Sequence, residues 1–154
     1  MNRKTACFFG HRTINETEEL KSALMDIVEK LIVEKRVDTF LFGSKSRFNS
    51  LCQEIVTKLK EKYPHIKRVY VRAEHPYISE EYKNYLLESY DETYYPKKIM
   101  GSGRASYIER NYEMIENSWF CVVYYEGSSV IRRSGTKIAL DYATKKGKEI
   151  IRVV

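Results

Sequence analysis

Thr39-Phe40-Leu41-Phe42-Gly43-Ser44-Lys45-Ser46-Arg47-Phe48 is the stretch whose reading decides the fold. A short apolar run ends in a glycine and a polar turn. Phe48, Leu51, Cys52, Ile55 and Leu59 then recur at helical spacing as far as the break before Pro64. A buried strand that hands over to a helix in this way is half of a βαβ unit. Glycine, hydroxyls and the unpaired first N–H groups of a helix together suit a phosphate, so Gly43, Ser44 and Lys45 are candidate ligand residues. Lys45 or Arg47 would add charge. The plainer alternative is a turn in which Ser46 merely caps the helix.

Working outward, the same grammar repeats. Ala6-Cys7-Phe8-Phe9 reads as a buried strand closed by Gly10-His11-Arg12. Asn15 with Glu18 resembles a capping arrangement, and Leu20, Leu24, Ile27 and Leu31 predict a helix over 16–35. Lys67 to Val71 is a third strand. Ser106-x-x-Glu109 reads as a capping box, followed by a stripe of Ile108, Tyr112, Ile115 and Trp119. Trp119 to Tyr125 is a fourth strand, Thr136 to Lys146 a helix closed by Gly147, and Glu149 to Val154 a last strand. The stretch 73–98 breaks the rhythm. It is tyrosine-rich and reads as an excursion over one end of the sheet, with a helix within Glu80 to Tyr90; Lys98-Ile99-Met100 is a candidate small extra strand.

Five strands alternating with helices, most of them continuous apolar runs, predict an α/β, Rossmann-like doubly wound fold. Its sheet would be mainly parallel and five-stranded, with helices on both faces and one domain over 1–154. Ligands of such folds bind beyond the carboxyl ends of the strands. Gly10, His11 and Arg12, the 43–46 loop, the loop after Val71 and the segment Glu126 to Ser134 all fall at that edge. Ser134, Gly135 and Thr136, flanked by Arg132 and Arg133, form a second phosphate-friendly turn opening a helix. Arg110 and Asn111 are candidates to orient a neighbouring loop or to contact a ribose or base. His11 reads as an acid/base or phosphate group, or as a hydrogen-bonded loop histidine. Gly101-Ser102-Gly103 is a hinge or a weaker phosphate turn. No G-x-x-x-x-G-K-[ST] or G-x-G-x-x-G pattern occurs, which argues against P-loop hydrolysis and ordinary dinucleotide binding.

Composition sets wider bounds. The 154 residues are 43% hydrophobic and 31% charged, with no apolar run of membrane-spanning length. The formal charge of +6 favours anionic partners without selecting among them. Cys7, Cys52 and Cys121 sit in apolar patterns and show no metal-ligand spacing, so no metal site is expected. His65 and His75 have no partner at metal spacing either. The cytoplasm is the expected compartment, with no secretory leader. Six of the thirteen tyrosines lie between Tyr77 and Tyr95, where they either stack on a base or pack core and rim.

Taken together, these residues resemble the SLOG superfamily, and within it the YpsA-like branch. The resemblance rests on Cys7-Phe8-Phe9-Gly10-His11-Arg12, Phe42-Gly43-Ser44-Lys45-Ser46-Arg47-Phe48, and Tyr107-x-x-Arg110-Asn111-x-x-Met114-x-x-x-Ser118. It continues in Ser134-Gly135-Thr136-x-x-Ala139-x-x-Tyr142-Ala143 and Lys146-Gly147-Lys148-x-Ile150-Ile151. It implies a nucleotide site at the loops named above. The superfamily includes cytokinin-activating phosphoribohydrolases, whose P-G-G-x-G-T-x-x-E motif carries a glutamate that assists N-glycosidic cleavage, and the DNA-processing protein DprA. Here Ala139 stands where that glutamate would be, and an alanine cannot polarise a ribose.

The favoured expectation is therefore binding of a nucleotide or nucleotide-derived small molecule, ADP-ribose-like or a nucleoside monophosphate, with no separate cofactor required. The alternatives are a phosphoribohydrolase-like enzyme using another acid, such as Glu109 or Glu126, and a DprA-like single-stranded nucleic-acid binder. Nucleic acid is the less favoured partner, no membrane partner is expected, and self-association is left open.

Overall fold

In the computed structural model, which describes residues 3–126 and 134–153, Ala6 and Phe8 point to one side of a sheet and Cys7 and Phe9 to the other. This alternation is the two-residue period of a strand buried on both faces. The six strands are β1 (Thr5–Gly10), β2 (Thr39–Phe42), β3 (Lys67–Val71), β4 (Glu92–Tyr94), β5 (Phe120–Tyr124) and β6 (Glu149–Arg152). All are paired in parallel, in the order β4-β3-β2-β1-β5-β6. The fold is the expected α/β Rossmann-like one, with six strands rather than five. The missed strand is β4. Its Glu-Thr-Tyr sequence is half-buried at the sheet edge and has no apolar run to announce it. The excursion is thus partly built into the sheet, whereas 98–100 forms no strand.

The helices are α1 (Glu18–Val33), α2 (Arg47–Lys62), α3 (Glu80–Leu86), α4 (Arg104–Glu116) and α5 (Gly135–Lys145). Leu24 and Val28 of α1 and Phe48 and Val56 of α2 pack with Phe8, Phe40 and Val122 on one face. Met114 and Ile115 of α4 and Ala139 and Ala143 of α5 pack with Cys7, Leu41 and Val123 on the other. Burying the larger of these side chains, the phenylalanines, leucines, valines, isoleucine and methionine, contributes on the order of 1.5–3 kcal/mol each. The chain lays β1 to β4 outward in one direction and then crosses to place β5 against the far side of β1. The order of strands therefore reverses between β1 and β5, the switch point near which ligands of such folds bind.

Several helix starts differ from the sequence pattern. Thr17, not Asn15, caps α1, its side chain accepting from the Leu20 N–H at 3.1 Å. The Ser106-x-x-Glu109 pair is not a capping box. Helix α4 begins earlier, after Gly103 at φ 59°, and the buried Ser106 hydroxyl donates back to the Gly103 carbonyl at 2.8 Å. Glu109 instead accepts from the Met100 and Gly101 N–H groups at 2.6 and 3.2 Å, pinning the loop before the helix. Trp119 lies beyond the end of α4 and is 59% exposed, with Lys4 over its ring. Gly147 does adopt the left-handed cap conformation, φ 70°.

Candidate functional site

Ladder pairing between β1 and β2 runs from Thr5↔Thr39 only to Cys7↔Leu41, although both strands continue. The side chain of Asn49, 3% exposed, bridges the gap. Its Nδ2 donates to the Phe8 carbonyl at 3.2 Å and its Oδ1 accepts from the Gly43 N–H at 3.4 Å. One amide thus satisfies the two backbone groups that the splayed strands leave unpaired. The sequence offered no sign of this role, because Asn49 sits among ordinary first-turn helix residues.

Beyond this clamp lies a cavity of about 820 Å³, within the range of small-molecule sites. The residues read from the sequence as the favoured ligand contacts line it. Gly10, His11 and Arg12 come from the end of β1, and Gly43, Ser44 and Lys45 from the end of β2. Arg110 and Asn111 come from α4, and Ser134, Gly135 and Thr136 from the start of α5. Arg132 and Arg133 lie outside the described residues. The loop 101–103 is not part of the wall, and neither are Glu109 and Glu126, the acids expected for a hydrolase. Glu126 accepts from the Tyr124 hydroxyl at 2.8 Å.

The details reassign several roles. Ser46 caps α2, accepting from the Asn49 N–H at 3.1 Å. Ser44 donates to the Ser46 hydroxyl at 2.8 Å and accepts from the Ser46 N–H at 3.2 Å, so both hydroxyls serve the turn itself. Arg47 points away from the cavity and forks onto Glu16. Its N–H donates to the Arg12 carbonyl at 2.9 Å, tying the first two loops together. His11 accepts from the Glu126 N–H through Nε2 at 3.0 Å and sits against the rings of Tyr124 and Tyr125. That contact is the kind expected of a hydrogen-bonded loop histidine, and His11 also lines the cavity.

Arg110 is 3% exposed. It donates to the Gly43 carbonyl and, at 3.4 Å, to that of Val71, while its Nε donates to Asn111 Oδ1 at 2.9 Å. Burial pulls its pKa below the usual guanidinium value, and the Tyr107 ring lies 5.5 Å away. Arg110 therefore joins the ends of β2 and β3, which is the loop-orienting reading of this residue. At α5, Ser134 accepts from the Lys137 N–H at 3.1 Å. The N–H groups of Gly135 and Thr136, in the first turn, have no intrahelical partner and carry the positive end of the helix dipole. Ala139 is buried in the core and faces the sheet.

Tyr70, Arg72, Glu74, Tyr82, Arg104 and Tyr107 also line the cavity and were not among the candidate ligand residues. The pointers to them were the loop after Val71 at the carboxyl edge, the tyrosine cluster that holds Tyr82 and the motif that opens on Tyr107. Arg12, Lys45, Arg72, Arg104 and Arg110 set five cationic side chains against one carboxylate, Glu74, among the described lining residues. Glu74 accepts from the Tyr107 hydroxyl at 2.5 Å and lies 3.9 Å from Lys45; the Tyr107 bond first, then nearby charge, holds its pKa below the usual carboxylate range. Arg72 is different. Its Nε and Nη1 are shielded from solvent and have no hydrogen-bond partner among the described residues, and desolvation lowers its pKa. Unsatisfied buried groups of this kind cost about 1–3 kcal/mol each.

The tyrosines of the 73–98 stretch differ in burial. Tyr90 packs against Phe42 and Tyr70, while Tyr77 and Tyr85 are 92% and 65% exposed. Among the described residues no group of three His, Cys, Asp or Glu side chains is placed to hold a metal ion. No helix there is long and apolar enough to cross a membrane.

No protein-family model and no curated protein sequence matches the chain. Among solved structures it is similar to DNA processing protein A from Helicobacter pylori, described for its single-stranded DNA binding mode, at 15% identity and TM-score 0.63. That match covers 98% of this chain and 65% of the other. A weaker likeness is to Staphylococcus aureus TarJ in complex with NADPH, at 12% identity and TM-score 0.46, covering 90% of this chain and 46% of that one. The chain spans about two thirds of the first protein and under half of the second. The first likeness extends over nearly the whole chain, and at this identity it speaks to architecture alone: the chain has a DprA-like Rossmann fold.

Proposed function

We propose that this chain binds a nucleotide or nucleotide-derived molecule in the cavity beyond the carboxyl ends of β1, β2 and β3, as a member of the YpsA-like branch of the SLOG superfamily. The phosphate rests on the Gly135 and Thr136 N–H groups and beside Lys45, while Tyr107 and its neighbours flank the base or ribose. One observation carries the reading: among the described residues, the wall of a cavity large enough for a nucleotide sets Arg12, Lys45, Arg72 and Arg110 against one carboxylate, Glu74, with a helix N-terminus beside them. A phosphorylated ligand complements that positive wall.

Binding is favoured over N-glycosidic hydrolysis, because Ala139 is buried in the core and Glu74, the one carboxylate among the described lining residues, is already engaged by Tyr107. A DprA-like grip on single-stranded nucleic acid draws some support from Tyr70, Tyr82 and Tyr107, whose rings suit stacking. Thermal unfolding with AMP, ADP-ribose and a short oligonucleotide tests these readings. A ligand at about a hundred times its Kd adds about 2.7 kcal/mol, a rise in Tm of roughly 5–10 °C for a domain of this size. If none of the three moves the Tm, the site reading fails. Oligonucleotide binding that weakens steeply with salt while AMP has no effect favours the strand. Free adenine appearing from AMP, and lost in Glu74→Gln, replaces binding with catalysis.

A further inference from the structure

Period-two alternation puts Tyr70 and Arg72 side by side at the end of β3, on the face opposite Val69 and Val71. The backbone there is still held in the sheet, since the Arg72 N–H donates to the Tyr94 carbonyl at 2.8 Å. The guanidinium is therefore carried by a rigid strand end and not by a wandering loop. It lines the cavity with Tyr70 and Tyr82, and two of its nitrogens have no partner among the described residues. Glu74 is two residues away, but its oxygens face Tyr107, Lys45 and His75. Nothing among the described residues explains a cation at this point. A ligand acceptor does.

The lateral geometry says which part of a ligand reaches it. Helix α5 packs over β1, β5 and β6, while Arg72 leaves β3. Two to three strand spacings separate β3 from β1 and β5, so the end of β3 that carries Arg72 lies about 10–14 Å across the sheet from the strands over which α5 packs. Donors grip a phosphate oxygen at about 3 Å. Two phosphates set apart along the cavity can engage both ends at once.

We infer that Arg72, between Tyr70 and Tyr82, forms a second anion subsite, and that the ligand carries two phosphate groups separated by about the length of a nucleoside. This rests on the nucleotide reading of the same cavity and narrows it. The chemistry is that of a linear dinucleotide, pApA being the simplest probe, and it also occurs within a single strand of nucleic acid.

The test is calorimetric titration of the full chain with AMP, pApA and a ten-residue oligo(dT), for wild type, Arg72→Met and Arg72→Gln. Each variant is first checked for an unchanged fold by circular dichroism. Wild type is expected to bind pApA about ten-fold or more tightly than AMP, the scale of one charge-assisted contact. Either variant that folds should lose that advantage while keeping its AMP affinity within about two-fold. An oligo(dT) affinity far above that of pApA and steep in salt, with the same Arg72 dependence, identifies the source as a strand. Equal AMP and pApA affinities in wild type overturn the second subsite and leave the nucleotide reading standing. Equal weakening of AMP and pApA by the substitutions overturns it too and makes Arg72 a contact of the first nucleotide. Binding of none of the probes overturns both.

Discussion

Three glycines end up at this cavity, and substituting each by alanine separates packing from ligand approach. A Cβ at Gly10 would lie 2.3 Å from two ring atoms of Phe48 and 2.5 Å from its Cβ, and Phe48 is fully buried. Neither ring nor strand has room to yield, so Gly10→Ala is expected to cost about 3 kcal/mol or more, the upper part of the overpacking range. At about 2–4 °C per kcal/mol the Tm falls by roughly 6–12 °C. Gly43→Ala sets a Cβ 2.7 Å from Arg110 Cδ and 2.8 Å from Met114 Sδ, both on flexible side chains, for about 1–2 kcal/mol. A Cβ at Gly135 meets nothing within 4 Å among the described residues. Since Gly135 is the first residue of α5, alanine there is neutral or stabilising by about 0.5 kcal/mol. On the proposed phosphate placement it nevertheless weakens nucleotide binding by roughly ten-fold. Thermal and urea unfolding of the three variants, with titration of the ligand, reads out both effects. A Gly10→Ala protein as stable as wild type, or a Gly135→Ala protein as damaged as Gly43→Ala, would refute the reasoning.

Two further outcomes follow from the clamp and the buried phenols. Asn49→Leu orphans the Phe8 carbonyl and the Gly43 N–H, so it should cost about 2–3 kcal/mol and abolish hydrogen-exchange protection at the Gly43 amide; retained protection would show that the strands close without the bridge. Burial pushes the Tyr90 phenol up to about 12, and burial together with its bond to Glu116 does the same for Tyr142. Both folded pKa values stand above the ordinary 10, so their stabilising effect is complete below pH 10 and is lost as pH rises from about 10 to about 12. Ultraviolet titration should show tyrosines that ionise late, and their number should fall in Tyr90→Phe and Tyr142→Phe; an unchanged curve would contradict the burial argument.

Much of the site was legible because its parts are local. A glycine after an apolar run, a serine before a helical stripe and the alternation of the two periods place the loops at the carboxyl edge whatever the strand order. What each residue does there depended on partners distant in sequence. Gly10 and Gly43 read as points of ligand approach. They prove to be places where Phe48 and Arg110 crowd the backbone, and neither has a positive φ that would demand glycine. The two serines of the 44–46 loop read either as anion donors or, for Ser46, as a plain helix cap; in the structure they satisfy one another and Ser46 caps the helix.

The sequence alone determined the alternation of strand and helix, the parallel buried sheet and the edge where a ligand would bind. Those follow from periodicity and turn chemistry within a few residues. The tertiary structure decided the sixth strand, whose Glu-Thr-Tyr becomes β only because β3 offers it an edge to pair with. It also decided the Asn49 bridge across the splayed strands and the inward turn of Arg110. The gathering of Arg72 and Arg104 with loops remote in the chain was its work as well. Each of these depends on which strands lie side by side. No short window of sequence records that order, because it is set by the packing of both faces of the sheet at once.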